Sequence, residues 1–207
     1  MSHGAYKEAH PLADRVCHWI HLGSMVVLAF TGFFIHFPFG GLRMDLMRDL
    51  HFVAMWLVII NLAVRLVLLL TLKTANVKGT RQIAGDWINF TPQSENRGQL
   101  FETIKYYLFL RKTHPISGKY NPLQKMAYVA MQGLLVAQAI TGFAIYGRTD
   151  QLFGSLTTMV GGLMVMREAH YFIMWAFILI TMIHVYLSAA EDVEALPLMF
   201  AGKETPL

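Results

Sequence analysis

Residues Arg167 to Ser188, REAHYFIMWAFILITMIHVYLS, form an apolar run that a bilayer explains better than a water-soluble core does. About 20 residues at about 1.5 Å each cross a hydrocarbon layer of roughly 30 Å. Inside this run stand His170 and His184. At about 100° per residue, a spacing of fourteen leaves them about 40° apart round the helix and roughly 21 Å apart along it. They share a face at two depths, too far apart for one metal ion, whereas two haems stacked across a membrane would each take one axial ligand. Ionisable groups inside a spanning helix are functional candidates by default.

Three further apolar runs bring the expected spans to about 16–37, 50–72, 123–147 and 168–190. The expected fold is an all-α membrane protein, a four-transmembrane-helix bundle forming a single domain over 1–207. Composition agrees: 55% of the 207 residues are hydrophobic and 14% charged, which rejects a soluble core. The net charge of +4 lies in segments flanking the apolar runs, so no nucleic-acid partner is expected. Cys17 is the single cysteine, which excludes an internal disulfide, a cysteine-ligated iron–sulfur cluster and covalent C-x-x-C-H haem attachment. Any haem is then b-type. The polar N-terminus lacks the signature of a cleaved signal peptide, so the first run is read as a retained helix.

The stretch from about 73 to 122 is the longest polar one and is rich in Lys and Arg, which the positive-inside rule reads as cytoplasmic. Both termini then share that side, in a bacterial or archaeal cytoplasmic membrane. Within it LFETIKYYLFLRK mixes apolar, aromatic and basic residues as an interfacial helix would. The connection RTDQLFGSLTTMVGGLMVM is expected to hold a short surface helix, its Met, Leu and Phe residues suited to a partner.

Antiparallel spans order the histidines. His51 and His170 open the second and fourth spans at the outer side, while His18 and His184 lie at the inner side. Two bis-histidine sites at two depths result. His36 is the rival to His51, eighteen residues from His18 and about 27 Å along the same face; for His21 and His36 an interfacial or packing role is the plainer reading. Arg65, fourteen residues after His51, is read either as the partner of a buried anion such as a haem propionate or as a snorkelling side chain. Gly32 either packs helices or lets a flat macrocycle approach. Gln132 and Gln138 are polar residues that bond between helices or to a ligand. TGFAI at the end of the third span echoes TGFFI at the end of the first.

Taken together, DRVCHW at the start of the first span, a histidine opening the second, YYLFLRK, GKYNPLQKMAY, TGFAI and the histidine pair fourteen apart resemble the di-haem cytochrome b subunits of membrane-bound nickel–iron hydrogenases. The gamma subunits of formate dehydrogenases, in the bacterial cytochrome b561 superfamily, are similar. The resemblance covers nearly the whole chain. It implies two haem b, with His18 and His184 on the inner iron and His51 and His170 on the outer, and partners in an iron–sulfur subunit and a catalytic subunit of a membrane oxidoreductase. Electrons would pass from the outer face to membrane quinone, and the chain itself would carry no catalytic centre for the primary substrate. Asn121 and Gln124 match the quinone-site segment of formate dehydrogenase, although Leu123 stands where that pattern has glycine. Asn121 also reads as the cap of the third span, with Pro122 at its first position. Other readings are the same role in formate dehydrogenase, thiosulfate reductase or another molybdenum enzyme, a free-standing cytochrome b561-like oxidase, and a haem-free transporter with proton-relaying histidines.

Overall fold

The computed structural model describes residues 10–75, 83–91, 98–113, 120, 122–191, 197 and 199–200. Six α-helices are found among them: α1 (Leu12–His36), α2 (Met44–Thr71), α3 (Gln99–Tyr107), α4 (Pro122–Ile145), α5 (Asp150–Met159) and α6 (Leu163–Glu191). Four of these, α1, α2, α4 and α6, are long and apolar enough to cross a membrane. Large apolar side chains lie bare on their outer faces, Leu70 and Phe172 among them. Lipid, as apolar as these side chains, is the solvent that tolerates such a surface.

The four spans fall where hydropathy puts them, but α2 and α6 begin six and five residues before the expected 50 and 168. The apolar run measures the bilayer, whereas the helix continues for as long as its backbone bonds do. MDLMRD carries Asp45, Arg48 and Asp49 yet holds no breaker, so α2 runs back to Met44. His51 and His170 consequently sit about two turns inside their helices.

The chain divides into two compact units, one of Met1–Met126 with Leu187–Leu207 and one of Ala127–Tyr186. In the first, α1 and α2 lie antiparallel, as their tertiary hydrogen bonds record. Thr31 reaches His51 at one end, while the Cys17 carbonyl accepts from Asn61 Nδ2 (3.0 Å) and Asp14 pairs with Arg65 at the other. The buried stripe of α1 is Cys17, Ser24, Thr31 and Phe34, and that of α2 is Met47, Ala54, Val58 and Asn61. Small residues at such intervals let helix backbones approach closely.

After α2 the chain makes a feature that hydropathy does not signal. Strand β1 (Lys73–Ala75) pairs antiparallel with β2 (Ile83–Gly85), Thr74 opposite Ala84, and a 3₁₀ turn follows over Asp86–Phe90. Its interior is polar: Thr74 Oγ1 donates to Asp86 Oδ1 (2.7 Å), and Asn89 Nδ2 lies 3.1 Å from Thr74 Oγ1 and 3.2 Å from Asp86 Oδ1, while Asn89 Oδ1 is buried without a hydrogen bond among the described residues. The expected interfacial segment is α3. Glu102 receives Lys105 Nζ and Arg111 Nη1, each at 2.9 Å, and the bond and charge of Lys105, with Arg111, hold its carboxyl below the usual range. Phe101, Leu108, Phe109 and Leu110 are exposed around this basic group.

In the second unit α5 is the expected short surface helix, with Leu152 and Met159 exposed. Gly161 and Gly162, at φ of +107° and +98°, turn the chain into α6, as Gly40 and Gly41, at +66° and +67°, turn it toward α2. Side chains rarely adopt that backbone region, and glycine enters it without steric cost.

Candidate haem-binding site

The same arrangement occurs once in each unit. Near the end of α1, the buried Thr31 hydroxyl lies 2.8 Å from Nδ1 of His51; near the end of α4, Thr141 Oγ1 lies 2.9 Å from Nδ1 of His170. Both threonines come from the Thr-Gly-Phe echo between the first and third spans. Each hydroxyl also reaches back along its own helix, Thr31 to the Val27 carbonyl (2.7 Å) and Thr141 to that of Ala137 (2.9 Å), with second carbonyls at 3.2 and 3.1 Å.

Proton counting then fixes the imidazoles. A hydroxyl has one hydrogen and two lone pairs. When its hydrogen goes to a helix carbonyl, the hydroxyl accepts from the ring, and Nδ1 of each histidine then carries the proton. The lone pair is left on Nε2. Gln138 lies against the other edge of the His170 ring, its Nε2 3.1 Å from His170 Nε2, a contact that ligation of iron through that nitrogen would displace. Gly142 completes the seat. A β-carbon there would come within 3.1 Å of His170 Cε1, so the absent side chain lets the ring lie against α4.

A neutral imidazole with Nδ1–H bonded to a protein oxygen and Nε2 presenting a lone pair is the form that ligates iron. The donor chemistry of His51 and His170 therefore fits an axial role on haem. His18, edge-on to Trp19 with ring centres 5.3 Å apart, and His184 are both half-buried, on α1 and α6. Trp19 is itself anchored through Nε1 to the Met199 carbonyl at 2.7 Å. His18 and His51 belong to the first compact unit, His170 to the second together with His184. His36 is different: it is the last residue of α1, exposed, with its ring edge-on to Phe37.

Arg65 meets the carboxylate of Asp14, a partner that the sequence reading did not assign to it. Gln124 lies half-buried in the first turn of α4, and Pro122 takes the first helical position. Asn121 lies outside the described residues. Lys125 is buried, its Nζ donating to the Thr91 carbonyl at 3.0 Å.

Residues 9–202 match the family model of prokaryotic cytochrome b561. The chain belongs to that family. Its relatives include the probable Ni/Fe-hydrogenase B-type cytochrome subunit of Azotobacter chroococcum mcd 1, 28% identical over 86% of this chain and 78% of that protein. The protein of the same name from Rhizobium leguminosarum bv. viciae is 30% identical over 86% and 79%. The probable Ni/Fe-hydrogenase 1 B-type cytochrome subunit of Escherichia coli (strain K12) is 27% identical over 86% and 80%. A prokaryotic cytochrome b561 with four spanning helices is a multi-pass membrane electron-transport protein that carries b-type haem.

Proposed function

We propose that this cytochrome b561 is the membrane-anchoring subunit through which electrons leave a nickel–iron hydrogenase for membrane quinone. The observation that carries the reading is similarity over 86% of the chain to proteins named hydrogenase B-type cytochrome subunits. Two b haems are held at two depths, the inner by His18 and His184 and the outer by His51 and His170. Haem, when bound, supplies reversible one-electron chemistry. The chain supplies the rest: imidazoles of fixed tautomer and apolar helices that exclude water and set the depth of each site. The Lys- and Arg-rich connection faces the cytoplasm, which puts both termini there and the outer site toward the partner's iron–sulfur subunit.

Quinone is placed at the inner end, where it needs hydrogen-bond donors, a nearby electron source and a proton path. Asn121 and Gln124 carry amide donors. Gln124 opens α4 beside the buried Lys125, and Asp14 and Arg15 stand near the start of α1. The test is affinity purification of the full chain in mild detergent, with an optical spectrum and identification of the subunits that come with it. Hydrogenase large and small subunits with a b-type spectrum support the reading. A formate dehydrogenase or another molybdenum enzyme, or a cytochrome that purifies alone, overturns it.

A further inference from the structure

The bond between a threonine hydroxyl and a histidine Nδ1 is made twice, across 20 residues in one hairpin and 29 in the other. The hairpins share little else in their turns: Phe37 to Arg43 links the first pair of helices, whereas the second pair is separated by α5. What recurs is the Thr-Gly-Phe triplet closing the odd span, a Gly-Gly pair at positive φ before the even one, and a histidine about two turns into it. A threonine needing only to satisfy its own hydroxyl would be content with the helix carbonyls that both residues already reach. The bond to the ring is additional, and it is made to the same nitrogen each time.

We infer that Thr31 and Thr141 are positioning residues of the outer haem, each holding one of its two axial histidines by the Nδ1 proton. The inference rests on the assignment of His51 and His170 to one iron. It adds that the two hydroxyls fix ring rotation and tautomer, so that Nε2 is the only ring nitrogen with a lone pair to offer. They also make each imidazole a stronger electron donor, since an acceptor on Nδ1–H raises ligand basicity. A more basic pair of ligands favours the ferric state and lowers the midpoint potential of that haem. Both hydroxyls meet the histidines assigned to the outer iron, so the effect belongs to that site.

The test is a redox titration, with low-spin electron paramagnetic resonance, of the full haem-loaded protein carrying Thr31→Val, Thr141→Val or both. Valine keeps the side-chain volume and removes the hydroxyl; Thr31→Ser and Thr141→Ser keep the hydroxyl and remove the methyl. Loss of a partner that orients a metal ligand is worth about 10–100-fold in metal affinity. Only the part of such a loss that differs between ferric and ferrous iron moves the potential, and for one valine a tenfold difference corresponds to about 59 mV for a one-electron couple. The expected result is an upward shift of that order in one haem component, larger in the double variant, with the other component unmoved and the serine variants restored. The sites lie on different helices, so a variant that does not accumulate leaves the other to decide. Unchanged potentials and resonance positions in the valine variants overturn the inference, as does a serine variant that behaves like valine. His51→Ala and His170→Ala test the underlying assignment separately: loss of one and the same haem in both upholds it, and loss of different haems removes it.

Discussion

The pair of Asp14 and Arg65 joins the start of α1 to the end of α2, and its worth follows from its exposure. The Asp14 side chain is 13% exposed and that of Arg65 38%. A fully exposed pair contributes about 0.2–1 kcal/mol, and breaking a fully buried one by removing a single partner costs about 3–5 kcal/mol. With the carboxylate sheltered and the guanidinium more than a third open to solvent, screening discounts the upper figure heavily. A coupling of about 1–2 kcal/mol is expected. Arg65→Gln should be the worse single change, because it leaves the sheltered Asp14 carboxylate without the guanidinium, whereas the more open arginine is hydrated in Asp14→Asn, and Asp14→Asn/Arg65→Gln should recover part of the loss. At about 2–4 °C per kcal/mol for a chain of this size, the coupling is visible as about 2–8 °C in a thermal melt in detergent. The assay is a double-mutant cycle on the purified, haem-loaded protein. Additive single effects would refute the reasoning. The haem spectrum of the same variants decides Arg65's second reading: loss of inner haem in Arg65→Gln but not in Asp14→Asn would make the arginine a propionate partner rather than one half of an ion pair.

Other outcomes follow from the same account. His51→Ala and His170→Ala should each lose the outer haem and His18→Ala and His184→Ala the inner, counted by pyridine haemochrome, while the exposed His36→Ala keeps two; an outer site emptied by His36→Ala would reassign the ligands. A reporter fused near Gly79 should behave as cytoplasmic and one near Gly154 as external, and the opposite pattern would invert the direction of electron flow across the membrane. Asn121→Ala and Gln124→Ala should retain both haems and their reduction by the donor, yet slow reoxidation by quinone in stopped-flow traces. Unchanged reoxidation in both would move the quinone site elsewhere and leave Asn121 as a helix cap, whose loss costs about 1 kcal/mol.

The four spans were legible because bilayer thickness dictates the length of an apolar run, and nothing else in the chain is as long or as apolar. Their starts were less so. Leaving the hydrocarbon does not end a helix, and hydropathy is silent on Met44–Asp49 and Leu163–Arg167. The β1–β2 hairpin was invisible for another reason: strands of three residues offer no alternation to read, and their polar interior of Thr74, Asp86 and Asn89 looks like loop sequence. For the site, histidine spacing named the candidate ligands, and the Thr-Gly-Phe echo was present as a pattern without a role. Its meaning needed helix register, which brings Thr31 opposite His51 and Thr141 opposite His170. The pairing of Arg65 with Asp14, 51 residues away, needed the same information. A signal was available even so, since a hydroxyl at the depth of a ligating histidine is a natural acceptor for its second nitrogen.

The most direct test of the central claim is the optical spectrum of anaerobic membranes containing the complete complex, followed under hydrogen and then after adding an oxidised quinone analogue. The account predicts that hydrogen alone reduces the b-type absorption of this chain, that quinone reoxidises it, and that membranes lacking the chain keep hydrogenase activity toward an artificial dye but lose hydrogen-to-quinone activity. A b-type band reduced by dithionite and untouched by hydrogen would contradict it.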